Sequence, residues 1–522
     1  MSLATAELPS DPDALRAFAA ALQAELYAKT LHIEKLKAQL ATLRRARFGQ
    51  SSEKLDRQID LLELIIGDLE EAEAANEASQ DATAAMSAPT RPQRMGNRRP
   101  LPDHLPREVI THAGVCACPA CGSQRLRRIS DDEREVLEYV PSHFKVIVHV
   151  RPKLSCRDCE AITQPPMPSL PIERGRPGQG LIAHVLVSKY CDHLPLNRQS
   201  GIYAREGVDL DRSTLADWVG RAAWLVAPVA ERVGDYVRAG PAIHADDTPI
   251  PVQDPGRGRT KSGRLWVVVR DEGTWGSPNP PAAFYCYSPD RKGEHAQALL
   301  APASGFLHAD AYAGFDKLYE PDPITGRPRL EPVACWAHAR RELFDEHAKT
   351  KSPTAHQALD KIGAIFAIER EINGQSAEVR LAARQARSVP LLADLKDYLE
   401  TSLSRISRKG DLAKAIRYSL NRWEALCRFT EDGRLDMTNN AAERAIRPLT
   451  LGRRNWTFLG SDSGGERAAV FYTLIQSCKL NGINPEAYLA DLIGRVSDHP
   501  ANRIDELLPW NWRPRSDTKL AA

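Results

Sequence analysis

The chain of 522 residues contains no apolar run long enough to cross a bilayer. No membrane span and no membrane partner are expected. Its first residues lack a basic stretch followed by an apolar core, so no secretory signal is expected and the expected location is cytoplasmic. Cysteine is scarce, with ten in the whole chain. That is no disulfide framework, and in a reducing compartment it leaves thiols or metal ligands. A surplus of one charge is also missing: 70 Lys and Arg stand against 68 Asp and Glu, a formal net charge of +2. The cations are nonetheless uneven along the chain. Arg44, Arg45 and Arg47 form one knot, and Arg91, Arg94, Arg98, Arg99 and Arg107 a second. A third runs from Arg405 to Arg417, and a fourth holds Arg444, Arg447, Arg453 and Arg454. Such patches suit a phosphate backbone better than a membrane, a plain solvated face being the alternative for each.

The length exceeds what one core fills, so several domains are expected. Residues 13–47 carry a helical seam, with Leu15, Ala19, Leu22, Leu26, Lys29, Ile33, Leu36, Leu40 and Leu43 stepping by four and three. This is a heptad pattern and predicts self-association through a coiled coil, against the alternative of one amphipathic helix packed on its own domain. An apolar cluster, Leu61 to Leu69, closes a helical region 13–70; an Ala/Glu tract and then an Arg/Pro tract make 71–110 a linker by composition. Residues 175–238 read as helical, with a possible helix-turn-helix unit between Leu194 and Trp218 that would bind DNA.

Between these lies a cysteine-rich segment, 111–168. Cys118-x2-Cys121 and Cys156-x2-Cys159 are two knuckles with 34 residues between them. Four thiolates in two such pairs make the closed tetrahedral site of a structural Zn²⁺ ion. The alternating stretch Glu135–Leu154 suits a hairpin that brings the knuckles together, with Arg125, Arg127, Arg128, Lys145, Arg151 and Lys153 around it. Cys116 is a spare thiol. Cys335-Trp-Ala-His338 has a ligand spacing but no second pair, so a structural role at a junction is the expectation there.

From 240 to 500 the pattern changes. Short β-like runs occur at Ala242–His244, Leu265–Arg270, Ala283–Tyr287, Phe306–Ala309 and Val333–Cys335, with a helix Glu294–Leu300 before the fourth. Three strands, a helix and further strands is the order of a ribonuclease-H-like α/β core. Asp246 would end the first strand and Asp310 the fourth, and 340–432 reads as almost wholly helical. Glu443 would ride on the helix begun at Thr438–Arg447. Three carboxylates from distant segments are what a two-metal phosphoryl-transfer site requires, because Mg²⁺ prefers oxygen ligands and bare carboxylates repel. Each has a plainer alternative: a strand-to-turn junction at Asp246-Asp247 with Pro249 and Pro251 ending the strand, a helix start at Asp310, and a capping box at Glu443 with Asn440 as N-cap. Glu466 competes for the third place.

These segments resemble the insertion-sequence-66 group of bacterial DDE transposases over nearly the whole chain. The resemblance rests on Arg45–Leu55, Cys118–Cys159, His244–Val252, His308–Phe315, Cys335–Leu343, Asn439–Gly460 and Leu480–Tyr488. One departure is visible: the family's usual Asp-Glu-Thr reads Asp246-Asp247-Thr248 here. The resemblance implies a multidomain protein: a coiled-coil helix, a zinc module, a helical DNA-binding region, and a ribonuclease-H-like core with an all-helical insertion, before a tail at 501–522. It puts the catalytic triad on Asp246, Asp310 and Glu443, which would hold two Mg²⁺ (or Mn²⁺) ions. Double-stranded DNA, as element ends and target, is the implied substrate, and action on the nucleoid is implied with it. Arg444, Arg447, Arg453 and Arg454 are candidates for phosphate contact. Accessory proteins of the same element are possible further partners. A catalytically inactive zinc-dependent DNA-binding protein is the alternative.

Overall fold

The structure, a computed structural model, describes residues 101–514 except 104, 113–116, 141–142, 173–174, 255–258, 311 and 324–325. The expected coiled coil of 13–70, residues 71–100 of the expected linker, Cys116 and the end of the tail lie outside the described residues; the end of that linker is no linker, since Leu101 and Leu105 are buried in the core and a strand begins at Arg107. No described helix is long and apolar enough to cross a membrane.

The first sheet is built on a long hairpin, β2 (Leu126–Val140) against β3 (His143–Cys156). Strand β1 (Arg107–Thr111) flanks β3 in parallel and the short β4 (Ile162–Thr163) pairs with its end. Side chains alternate across a strand, and Phe144, Val146, Val148 and Val150 of β3 are the buried set. That face meets helix α1 (Gln179–Tyr190), where Tyr139 stacks on His184 with ring centroids 3.7 Å apart. The N-cap of α1, Gly178, offers no side chain, and the hairpin supplies one instead. The buried Glu138 carboxylate accepts the N–H groups of Gly180 (3.1 Å) and Leu181 (2.5 Å). A Cβ at Gly178 would stand 2.1 Å from that carboxylate, so glycine is what lets the cap approach.

Helices α2 (Leu196–Arg205) and α3 (Arg212–Arg238) follow, joined by a turn in which Gly207 takes φ +80°. Much of α3 is buried, Leu215, Ala216 and Val219 in its first turns included. The second sheet then forms from β5 (Ala242–Gln253), β6 (Thr260–Arg270), β7 (Ala282–Ser288), β8 (Gly305–Ala309) and β9 (Leu330–Ala334). Their order is β7-β6-β5-β8-β9, the first three antiparallel and β8 and β9 parallel to β5. Helix α4 (Gly293–Leu300) makes the crossover before β8.

Strand β5 does not end at Asp246, as the prolines suggested, but runs on through Pro249 and Pro251 to Gln253. The reason is strand parity. Gln253 donates its N–H away from β6 to the Leu459 carbonyl (2.9 Å), and Pro249 and Pro251 stand at alternate positions on that same edge. A proline there removes no bond to β6, and this is where strands tolerate it.

Beyond β9 come the helices α5 (Trp336–Thr350), α6 (Pro353–Glu371), α7 (Ala377–Ala383), α8 (Val389–Arg405), α9 (Asp411–Leu420) and α10 (Trp423–Cys427). They share a core of their own around Trp336, Ile362, Ile365, Leu395 and Phe429, which reaches the sheet at Ala242 and Val333. The chain returns to the sheet as α11 (Asn440–Trp456), α12 (Asp462–Leu480) and α13 (Pro485–Arg495). Helix α12 covers the free edge of β7: Thr473 Oγ1 accepts the Tyr285 N–H (2.9 Å), and Ser477 Oγ meets the Ala283 N–H and carbonyl (3.2 Å each). An edge strand closed in this way offers no template for another chain. The main apolar core runs without a break from Leu137 and Val146 of the hairpin, through α1 and α3, to the second sheet and Leu508.

Candidate active site and zinc centre

Two copies of one tripeptide set the site. His244-Ala245-Asp246 lies on β5, and His308-Ala309-Asp310 ends β8. The parallel register pairs His244 with His308, so each aspartate stands two residues past a paired histidine, on neighbouring strands. The imidazoles stack with centroids 4.2 Å apart. Burial and the neighbouring His244 push the His308 imidazole down to about 3, so it is neutral.

Glu443 arrives on α11, and buried hydrogen bonds fix how that helix sits. Asn439 Nδ2 donates to the Ala245 carbonyl (2.8 Å), and His244 Nδ1 donates to Asn439 Oδ1 (3.2 Å). Tyr285 Oη donates to the Ala445 carbonyl (2.7 Å) further along. The N-cap of α11 is Asn439, one residue before the expected Asn440, and its side chain is spent on the strand. Glu443 therefore falls one residue past the capping-box position, and its carboxylate is free for another task. The segment leading into α11 is held by two buried arginines. Arg380 donates to Asp436 and to the Leu435 carbonyl (2.9 Å each). Arg384 donates to Glu369 (2.8 and 2.6 Å) and to the Phe429 carbonyl (2.8 Å). Sequence reasoning assigned no role to His244, His308, Asn439 or these arginines, although the repeated His-Ala-Asp was the signal for the first two.

Adjacent residues on β5 have opposite surroundings. Asp247 is met by Arg264 (2.9 Å) and by Arg291 (2.7 Å). Among the described residues Asp246 has no cation beside it, and its Oδ1 accepts the Asp247 N–H (2.7 Å). Burial first, and then the charges of Asp310, Asp247 and Glu443, carry its carboxyl up to about 7. Asp310 accepts the Tyr312 N–H (3.1 Å) and has Arg291 at 3.7 Å. Glu466 stands on α12, where its charge is felt by Cys286 and Tyr287 of β7, whereas the largest like charges acting on Asp246 are those of Asp310, Asp247 and Glu443. A divalent cation relieves a buried carboxyl raised by like charge, although the oxygens of Asp246, Asp310 and Glu443 do not all lie within 4.8 Å of one another.

The candidate arginines divide. Arg444 and Arg447 are exposed on α11, the former 3.4 Å from Asp271. Arg453 turns inward and donates to the Pro249 carbonyl (2.6 Å) and Thr248 Oγ1 (3.0 Å), clamping the helix to β5. The Arg454 side chain lies outside the described residues.

At the open end of the β2–β3 hairpin, Leu126 pairs with Cys156 and the two knuckles meet. Sγ of Cys118 lies 3.3 Å from that of Cys159, and Cys121 Sγ 3.6 Å from that of Cys156. All four sulfurs lie within 4.8 Å of one another. In the metal-free cluster the Asp158 N–H holds the Cys156 thiol down to about 6 and the Ala120 N–H lowers Cys118, whereas the neighbouring cysteines raise Cys121 and Cys159. Backbone donors aimed at sulfur favour thiolates, and four of them at this spacing fit a structural zinc ion.

Comparison with known proteins agrees with this geometry. Residues 174–467 match the Transposase IS66 family. The chain belongs to that family. Residues 473–510 match its C-terminal element, 116–160 the zinc-finger binding domain of transposase IS66, and 35–110 a segment described as Transposase C of IS166 homeodomain. Three proteins of Sinorhizobium fredii (strain NBRC 101917 / NGR234) are similar over most of their lengths. The uncharacterized protein y4hP is 42% identical over 498 residues, covering 92% of this chain and 89% of that one. The uncharacterized protein y4jD is 38% identical, covering 92% and 94%. The uncharacterized protein y4qI is 34% identical, covering 98% and 99%.

Proposed function

We propose that this IS66-family transposase cleaves DNA at the ends of its insertion sequence and joins the freed 3′-hydroxyl to target DNA, with Asp246, Asp310 and Glu443 as the catalytic carboxylates. The observation that carries the reading is the buried Asp246, raised to about 7 by burial first and then by the charges of Asp310, Asp247 and Glu443. The sheet order β7-β6-β5-β8-β9 with a crossover helix supports a ribonuclease-H-like core. Asp246, Asp310 and Glu443 would hold two Mg²⁺ or Mn²⁺ ions; bound there, such ions lower the pKa of water and offset charge on the leaving oxygen.

The protein's own residues do the rest. Asn439, His244 and Tyr285 hold the Glu443 helix against β5. Arg264 and Arg291 pair with Asp247, which leaves Asp246, with no cation beside it among the described residues, as the carboxyl on this strand open to a metal. Arg444 and Arg447 offer exposed cations on the same helix as Glu443, suited to phosphates flanking the scissile bond. The four cysteines hold structural zinc, which closes the hairpin end that carries Arg125, Arg127 and Arg128. Self-association through 13–70 would let two protomers handle two ends together.

The test is a plasmid carrying the element's ends, incubated with the full chain and Mg²⁺ or Mn²⁺, with new 3′-hydroxyls mapped at base resolution. Nicks at the ends that vanish in Asp246→Ala and Glu443→Ala support the proposal. If Glu443→Ala still cuts, the third carboxylate is wrong. A protein that binds the ends and never cuts them, with the element's other proteins supplied, overturns the catalytic reading.

A further inference from the structure

We propose that Cys335, His338 and Glu443 form a second metal site, selective for a borderline-soft cation of the zinc class. Among the described residues, only two groups of metal-binding side chains bring their donor atoms together; one is the four cysteines and the other is this set. Cys335 is the N-cap residue of α5 and His338 lies in its first turn, so the two-residue spacing aims both at one point. Glu443 faces them from α11.

The decisive observation is a pair of orphans. His338 Nδ1 and Glu443 Oε1 are both buried without a hydrogen-bond partner, and they lie 3.8 Å apart. That separation is too long for a hydrogen bond, and leaving both atoms unsatisfied is costly. At a tetrahedral angle two zinc bonds of ~2.0–2.2 Å hold their donors ~3.4 Å apart, so the two atoms need close by only ~0.4 Å. The sulfur completes the set, all three donor atoms lying within 4.8 Å of one another. At the same angle a Zn–S bond of ~2.3 Å and a Zn–N bond of ~2.1 Å hold their donors ~3.6 Å apart, so side-chain rotation that draws the sulfur and the imidazole together closes the site. The Asn439 N–H lies 3.2 Å from Cys335 Sγ, and the thiol proton leaves to solvent when the metal binds.

Thiolate, imidazole and carboxylate together discriminate against Mg²⁺, which takes oxygen ligands, and favour Zn²⁺. Three protein ligands leave the fourth position open. Glu443 also lines a groove of about 590 Å³ with Arg340, Arg341 and Arg370, so solvent or a phosphate oxygen has access from that side. Binding here does not rest on the proposed function. Its consequence does: a zinc-class ion engages an oxygen of the third catalytic carboxylate and inhibits the Mg²⁺-dependent reaction.

The experiment titrates Co²⁺ into the full chain with zinc already in the four-cysteine module, and records absorption. The expected result is one further equivalent of Co²⁺ with a thiolate charge-transfer band. That band is lost in Cys335→Ser and kept in Cys427→Ser. His338→Asn weakens Co²⁺ binding by more than the ~10–100-fold that loss of an outer-shell partner costs. Zinc retained in the four-cysteine module shows that each variant has folded. No further equivalent in the parent, or a band that survives Cys335→Ser, overturns the proposal. A chain that binds Co²⁺ here yet never cuts DNA keeps this site and removes only the catalytic reading.

Discussion

Replacing Asp246 by Asn isolates the electrostatics of the site. In the metal-free chain its carboxyl is raised from 3.8 to about 7, by burial first and then by Asp310, Asp247 and Glu443. The unfolded chain ionises this group near its ordinary value, so between pH ~4 and ~7 the native state keeps a proton that the unfolded state has lost. Stability therefore falls as pH rises through that window and stays low above it. At 1.36 kcal/mol per pH unit, the full penalty above pH 7 is about 4 kcal/mol, an upper figure because the site relaxes. Asn keeps the shape and the oxygen that accepts the Asp247 N–H, and it carries no charge. In EDTA at pH 8 the Asn variant should therefore be the more stable protein, by a few kcal/mol; at pH 5 the difference should shrink to about 1–2 kcal/mol. Millimolar Mg²⁺ should stabilise the parent and leave the variant unchanged. Since the described residues form two apolar cores, hydrogen exchange at the β5 amides is a better gauge than a global melt. Parallel pH profiles for parent and variant in EDTA would refute the reasoning, because Asp246 would then ionise without penalty.

Three further substitutions separate binding, clamping and folding. Arg447→Ala should reduce the slope of log affinity for DNA against log salt by about 1, the loss of one phosphate contact, with the melting midpoint unchanged. Arg453→Ala should do the reverse, costing about 1–3 kcal/mol of stability through its lost bonds to Thr248 and Pro249 while the salt slope stays put. Cys156→Ser, or a strong chelator, should raise exchange at the hairpin amides next to the knuckles and release one zinc per chain. Asn439→Ala removes two buried hydrogen bonds between α11 and β5. It should cost about 2–4 kcal/mol and cut end cleavage at least tenfold, with end binding retained in a gel-shift assay.

Local pattern carried some of this architecture plainly. Alternation over Glu135–Leu154 announced the hairpin, and the two Cys-x2-Cys knuckles announced the site at its open end. The five β-like runs each fall on a strand, because their Val-, Ile- and Phe-rich stretches are buried on a pleated sheet. The extent of β5 was hidden for a definite reason. Proline is a strand terminator only when its missing N–H would face a neighbouring strand, and sequence alone does not show which edge is free. The same limit hid the positioning network. Arg380 acts on Asp436 and His244 on Asn439, across 56 and 195 residues of chain, and no local period links such pairs. Arg453 shows the limit from the other side: in sequence it is one more cation of a basic knot, and only the fold turns it inward.

The neighbouring acids 246 and 247 bring these points together. Strand alternation sends their side chains to opposite faces of β5, so one residue of offset decides between two functions. On one face Arg264 and Arg291 meet Asp247, whose side chain is 3% exposed, and a buried carboxylate held by two guanidiniums is stable without any metal. On the other face Asp246 meets only like charge, and it either keeps a proton or takes a cation. Arg291 stands between the two, 2.7 Å from Asp247 and 3.7 Å from Asp310. If Asp246 and Asp310 take a cation as proposed, that cation competes with Arg291 for Asp310.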